Sequence, residues 1–399
     1  MAAYQKLQRD PASKDLFNKR ITTLEGLRNI SSNSSFLAID TEHIAVTSER
    51  DRVLHQLGIA FLPTLKQSEL SSTDATSTST NRPSLKPFYD DNEISGLTLN
   101  INIRKEVQDH LIALRGGKGL PIRRSLRFGE EKRVDIENLE SAVIEFIQNC
   151  NHDSSLVLLG FGMAAEWTYL FEAFPRAIPL FSAWVDLRDI AKDITSSTSV
   201  IPGLVPCLQL FGYHWKDILS IKGNSSGGIA DNAGDDAVST CALANALLSP
   251  TNQEKLIFRQ QCAQIAQVFS KKNGHQILRR REAFAVAVTA HQQKLPASID
   301  SGMKLARQFF DYSPKAAGIL SPDVACVTFS CEEHMDRFMS EVDGLELPTG
   351  ERLLVERQYQ QETNSEKENK LQDEKRVLRE RQRQENNQDN LEDLGDLFF

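Results

Sequence analysis

Short apolar runs separated by polar turns dominate the first part of the chain. Phe36–Ile39 follows the polar SSNSS stretch, and Val53–Leu62 follows the charged SERDR turn. Runs of this length between turn residues predict two strands joined by a hairpin. The Ser- and Thr-rich stretch LKQSELSSTDATSTSTNRPSLKP, over about 65–87, has too little apolar surface to offset its ordering entropy and predicts a surface insertion. Leu97–Ile103 alternates as a third strand. Ile136, Leu139, Val143, Ile144 and Ile147 recur at helical spacing across 134–147. Leu156–Leu159 is continuously apolar, as in a strand buried on both faces. Ala164–Phe174 then reads as a helix stopped by Pro175, Ala183–Val185 as a strand ending at Asp186, Pro202 as the start of a further helix, and Asp235–Leu248 as a long one. Strands first, then strand and helix in alternation, predict a mixed α/β sheet over 33–250 after an N-terminal extension, 1–32.

Beyond Pro250 the pattern changes. Residues 251–282 read as a helical linker that becomes basic at Lys271, Lys272, Arg279, Arg280 and Arg281. A second unit over 283–358 runs strand, helix, strand, strand, helix, strand, the split βαβ order of ferredoxin-like α+β domains. From 359 to 399 the chain is rich in Gln, Glu, Arg and Asn and ends in DNLEDLGDLFF, which predicts a solvated helix or a disordered tail.

Composition narrows the function classes. The formal charge of -8 argues against a general nucleic-acid coat, which needs an excess of Lys and Arg, but allows a local basic groove or an acidic cluster that meets phosphate through metal ions. The 6 cysteines form no CxxC pair and have no histidines at zinc-ligand spacing, so reduced, buried thiols are expected. No apolar run has the roughly 18 residues of a membrane span, and the N-terminus lacks a secretory apolar stretch. An intracellular protein, of cytoplasm or nucleus, is expected.

Three acidic pieces carry the candidate chemistry. In FLAIDTEH the two-residue period of a strand puts Asp40 and Glu42 on one face. In LVLLGFGMAAEW a strand, a glycine turn and a helix place Glu166 on the first helical turn, near the strand end where ligands gather in open α/β sheets. In IADNAGDDAV, Asp235 and Asp236 open a helix. Each piece alone is equally a polar turn or an acid complementing a helix dipole. Converging carboxylates are also what two Mg2+ or Mn2+ ions about 3.5–4 Å apart require in phosphoryl hydrolysis.

In this order the pieces resemble the DEDD 3′-5′ exonuclease family of RNase H-like folds, over about 33–250. RSLRFGEEKRV, with Arg127, Phe128, Gly129 and Glu130, is similar to a stretch of a fungal branch of that fold linked to an RNA helicase of messenger-RNA export. The resemblance implies metal ligands at Asp40, Glu42, Glu166 and Asp236, with Glu166 standing where the family has aspartate. It also implies a general base, and here the chain departs further. Asp231 occupies the place of the histidine subtype's base, and Asn232 that of the tyrosine subtype. Asp231 or His214 is left to orient the attacking water. The expected activity is therefore a weakened divalent-metal-dependent 3′-5′ exonuclease or a nuclease-derived binding module, acting on single-stranded nucleic acid, RNA favoured, in RNA metabolism.

The second unit, through VACVTFSCEEHMDRFMSEVDGLELPTGERLLVERQ, resembles the latter half of an RNA-recognition motif. Such motifs stack bases on aromatic residues of the central strands. Here those places hold Ala287, Val324 and Cys326, and Phe329 alone fits. This favours a protein partner for the second unit or the tail. The basic run at Lys271, Lys272 and Arg279–Arg281 is a candidate phosphate contact or a solvated linker. A non-catalytic adaptor working through the second unit and tail is the alternative from another class.

Overall fold

The apolar runs of the first part assemble into one seven-stranded sheet. In this computed structural model, residues 11–48, 51–65, 82–114, 126–150, 155–196, 200–214, 232–266, 271–272, 275–276, 284–290 and 294–358 are described. The strands are β1 (Arg20–Ile21), β2 (Ser34–Ser48), β3 (Asp51–Leu62), β4 (Ser95–Asn102), β5 (Glu130–Asp135), β6 (Ser155–Gly160) and β7 (Ala183–Asp186). Across the sheet they lie β1-β7-β6-β2-β3-β4-β5, with β3 antiparallel to both neighbours and every other pairing parallel. The expected mixed α/β architecture is what the chain forms.

Helices cover both faces: α1 (Pro11–Phe17), α2 (Leu24–Ser31), α3 (Leu85–Asp91), α4 (Lys105–Leu114), α5 (Leu139–Asn149), α6 (Ala164–Ala173), α7 (Leu187–Thr195), α8 (Leu204–Leu210) and α9 (Ala233–Leu247), followed by α10 (Pro250–Ile265). Strand alternation sorts the core into two layers. Phe36, Ala38, Ala60, Val157 and Leu159 pack with α7, α8 and α9. Leu37, Ile39, Leu57, Ile59, Leu156 and Leu158 pack with α1, α5 and α6 on the other face. Trp167 and Trp184, both fully buried, meet edge to face at 5.0 Å, an arrangement that adds about 0.5–1.5 kcal/mol to the area buried.

Several elements differ from the sequence expectation. Part of the 1–32 segment read as an extension belongs to the fold: β1 adds an edge strand beside β7, Leu27 is fully buried, and Trp184 Nε1 donates to the Phe17 carbonyl at 3.0 Å. Both flanks of the expected 65–87 insertion are core, with Leu65 and Leu85 buried and α3 packed against α9; residues 66–81 lie outside the described part. The helix expected over 134–147 starts only at Leu139. The residues before it form β5 and a 3₁₀ turn, which leaves Ile136 41% exposed. β5 escapes a hydrophobic reading because EEKRVD is a charged edge strand, the usual protection for an edge.

The chain divides into two compact units, Met1–Gln261 and Cys262–Phe399. The basic stretch does not continue α10: Lys271–Lys272 forms a strand, β8, paired with β9 (His275–Gln276). In the second unit β10 (Phe284–Ala290), α11 (Gly302–Gln308), β11 (Ala316–Ser321), β12 (Val324–Phe329), α12 (Glu332–Val342) and β13 (Leu353–Arg357) follow the order βαββαβ. The strands form an antiparallel sheet ordered β11-β12-β10-β13. Val286, Val288, Ala325, Val327 and Phe329 form its core with Leu305, Phe309 and Phe338. The tail, 359–399, lies outside the described residues.

Candidate metal centre

Three of the four acids singled out in the sequence converge. Carboxylate oxygens of Asp40, Glu42 and Asp236, all half-buried, lie within 4.8 Å of one another. Asp40 and Glu42 extend the face of β2 that carries Phe36 and Ala38, the face on which α9 packs. Asp236 comes from the first turn of α9, so the site depends on how closely that helix end approaches β2.

A glycine sets that approach. Gly58 of β3 is the cross-strand partner of Asp40, and a Cβ placed on it would stand 2.0 Å from the backbone carbonyl of Ala233. Glycine inside a strand marks such backbone contacts. Gly234 is equally tight, since a Cβ there would meet Thr98 Oγ1 at 2.0 Å. Polar groups then lock the helix end. Asn232 caps it by accepting from Gly234 N and Asp235 N, at 3.0 and 3.4 Å, and takes a third hydrogen bond from Thr98 Oγ1 at 3.2 Å. Gln56, fully buried and paired across the strands with Glu42, accepts from Ala233 N at 2.9 Å and donates to Asn100 at 2.8 Å. The ladder is irregular just beyond, where Glu42 pairs with Gln56 but His43 with Leu54. Such bulges re-aim side chains at strand ends.

Glu166 does not join the trio. The pairing of β6 with β2 ends at Ala38, and α6 begins beyond that end. There Glu166 Oε1 accepts from Thr41 Oγ1 at 3.3 Å. Thr41 has the strand parity of Leu37 and Ile39, opposite to Asp40 and Glu42. Further along the same face the rings of His43 and Tyr169 lie 6.4 Å apart. Glu166 is buried, and its Oε2 has no hydrogen-bond partner among the described residues. Burial pushes the carboxyl up to about 7; hydrogen bonds from its own backbone and from Thr41 pull the other way, and the nearby Asp186 adds to the rise. Asp186 itself is a structural acid, accepting from Gly162 N, Met163 N and Arg188 N and so fixing the turn that starts α6.

Of the remaining candidates, His214 alone has a described side chain. Asp231 lies outside the described residues, as do Arg279, Arg280, Arg281 and the side chains of Lys271 and Lys272. His214 is not in the carboxylate group. Gln56, Gly58, Thr98 and Thr41 were not singled out from the sequence; only Gly58, a glycine within an apolar strand, carries a local signal there.

The donor set suits a hard divalent cation. Opposite ligands of an octahedral Mg2+ stand about 4.2 Å apart, so three oxygens within 4.8 Å of one another are near the spacing that one ion requires. Carboxylate oxygen is the ligand that Mg2+ and Mn2+ prefer. Compared with known proteins, the chain matches no family model, and no curated protein matches it significantly.

Proposed function

We propose that the first unit is an RNase H-like domain that holds Mg2+ or Mn2+ at Asp40, Glu42 and Asp236 and binds single-stranded nucleic acid, RNA favoured, as a nuclease-derived module with weak 3′-5′ exonuclease activity at most. The convergence of the three carboxylates carries this reading. The strand order supports it. The central run β4-β3-β2-β6-β7, with β3 alone antiparallel, is the order of RNase H-like sheets, and Asp40 and Glu42 lie on its middle strand just past the end of that strand's parallel pairing with β6.

A bound divalent cation supplies positive charge to phosphate oxygens and, in hydrolysis, acidifies a water. The chain's own residues bring three oxygens to one point and leave the fourth acid on Thr41, its carboxyl pushed up by burial. Two-ion chemistry needs a further carboxylate there, which is why binding is placed ahead of turnover. The exonuclease is a second reading, favoured by a fourth buried acid, Glu166, held against β2 through Thr41.

The second unit is assigned a different task. Its strand order is that of ferredoxin-like domains and of RNA-recognition motifs, but Phe329, the aromatic that fitted base stacking, is buried against Phe338 at 5.1 Å. The sheet face turned away from the helices carries Ala285, Ala287, Val324, Cys326 and Thr328 on its central strands. With no ring among these described residues to stack a base, a protein partner is the role we assign to the second unit rather than RNA. Among the described residues no helix is long and apolar enough to cross a membrane.

Titrating the whole chain with Mn2+ and following 5′-labelled single-stranded RNA and DNA tests the proposal. Wild type should bind Mn2+ and retain the strands, with weak laddering from the 3′ end at most; Asp40→Ala and Asp236→Ala should lose the ion and, with it, nucleic-acid binding. Wild type that takes up no Mn2+ sinks the reading. Strong laddering that Asp40→Ala abolishes replaces the binding module with an active nuclease.

A further inference from the structure

Asp235 adjoins the metal candidate Asp236 in sequence, yet its side chain does something else. It is fully buried, and both carboxylate oxygens are taken by one residue: Oδ1 accepts from the Arg127 backbone N–H at 3.2 Å, and Oδ2 from Arg127 Nε at 2.8 Å. The Arg127 guanidinium lies over the Phe128 ring at 5.1 Å, and Phe128 is buried against Tyr89 at 5.3 Å. Gly129 follows at φ 82°, where a Cβ would stand 2.1 Å from the Gly96 carbonyl oxygen, so the 127–129 segment has no slack against β4. The first turn of α9 is thereby tied to a braced stretch of chain.

We infer that Arg127 and Asp235 form a positioning pair: the ion pair fixes the rotation and height of the first turn of α9, which delivers the Asp236 carboxylate to Asp40 and Glu42. This rests on the reading that those carboxylates hold a divalent cation. Two adjacent aspartates are thus divided by their surroundings. One is sealed in and neutralised by arginine, and the other is left half-buried in the acidic cluster. Outer residues that orient metal ligands typically govern 10- to 100-fold in affinity, and the Nε–H by which Arg127 holds Asp235 has no counterpart in lysine.

Charge and position predict opposite signs when Arg127 is removed, and this makes the pair testable. Taking a positive charge away from an acidic site should by electrostatics alone tighten a cation. If the pair positions Asp236, Arg127→Met should instead weaken Mn2+ by about tenfold or more. The measurement is Mn2+ affinity of the whole chain by electron paramagnetic resonance, at a temperature where circular dichroism shows each variant folded. Arg127→Lys keeps the charge and loses the Nε–H that holds Asp235; it should also weaken Mn2+ and alter the spectrum of the bound ion, and it serves in place of Arg127→Met should that variant not fold. Unchanged or tighter Mn2+ in the folded variants, with wild type binding normally, overturns the positioning role while leaving the metal site intact. Absence of Mn2+ binding in wild type removes the metal site, and the inference with it.

Discussion

Among single residues, Glu166 offers the sharpest test because its burial and its charge conflict. An ordinary glutamate titrates near 4.5, and this one is pushed up to about 7. The folded state therefore holds its proton over a pH range in which the unfolded chain has released it. The stability this provides is complete below about pH 4.5, declines as pH rises toward 7, and is gone above it. A tenfold difference in proton affinity between the folded and unfolded chain is worth about 1.4 kcal/mol, so the ceiling is about 3 kcal/mol. Glu166→Gln, which mimics the protonated acid, should flatten the decline and be more stable than wild type at pH 8. Urea unfolding with metal chelated, at pH 5 and pH 8, checks this; an equal loss of stability between the two pH values in both proteins would remove the account of Glu166 as a buried neutral acid.

At the scale of elements, the site is a joint between the end of α9 and the β2–β3 hairpin. Gly58→Ala forces a Cβ into the Ala233 backbone, and overpacking of this kind costs about 1–3 kcal/mol. Because the relief available is retreat of the helix end, Mn2+ affinity should fall along with stability, by at least about tenfold on the scale of displaced ligand shells. Calorimetry and Mn2+ titration of the variant read both effects; a destabilised protein with wild-type Mn2+ affinity would show that the close approach does not set the site. Asn232→Ala removes the cap of α9 and should cost about 1 kcal/mol, seen as a lower urea midpoint. Much of this joint was legible beforehand as separate pieces: D-x-E on a strand and NAGDDA opening a helix. Their distances were not, because they are set by hydrogen bonds between segments far apart in the chain, Thr98 to Asn232 and Ala233 N to Gln56.

The whole molecule keeps two separate cores, one on each side of the division near Gln261. Phe338 is fully buried in the second, in ring contact with Phe309, Tyr312 and Phe329. Phe338→Ala should cost the second unit about 3–5 kcal/mol and leave Mn2+ binding at Asp40, Glu42 and Asp236 unchanged. Differential scanning calorimetry beside a Mn2+ titration separates the outcomes, and a loss of Mn2+ affinity in this variant would contradict the independence of the two units.

The sequence by itself determined the mixed α/β class, the βαββαβ order of the second unit and the strand face shared by Asp40 and Glu42, because period-two and helical spacing are local properties that survive without neighbours. Charged β5 and the short β1 escaped it, since an edge strand owes its conformation to the sheet it joins. The same holds for the acids. Sequence treats Glu166, Asp235 and Asp236 alike, as carboxylates on first helical turns. Tertiary structure alone made one a buried acid held by Thr41, one the sealed partner of Arg127 and one a member of the cluster, because solvent access and opposing charge come from chain segments that sequence spacing does not bring together.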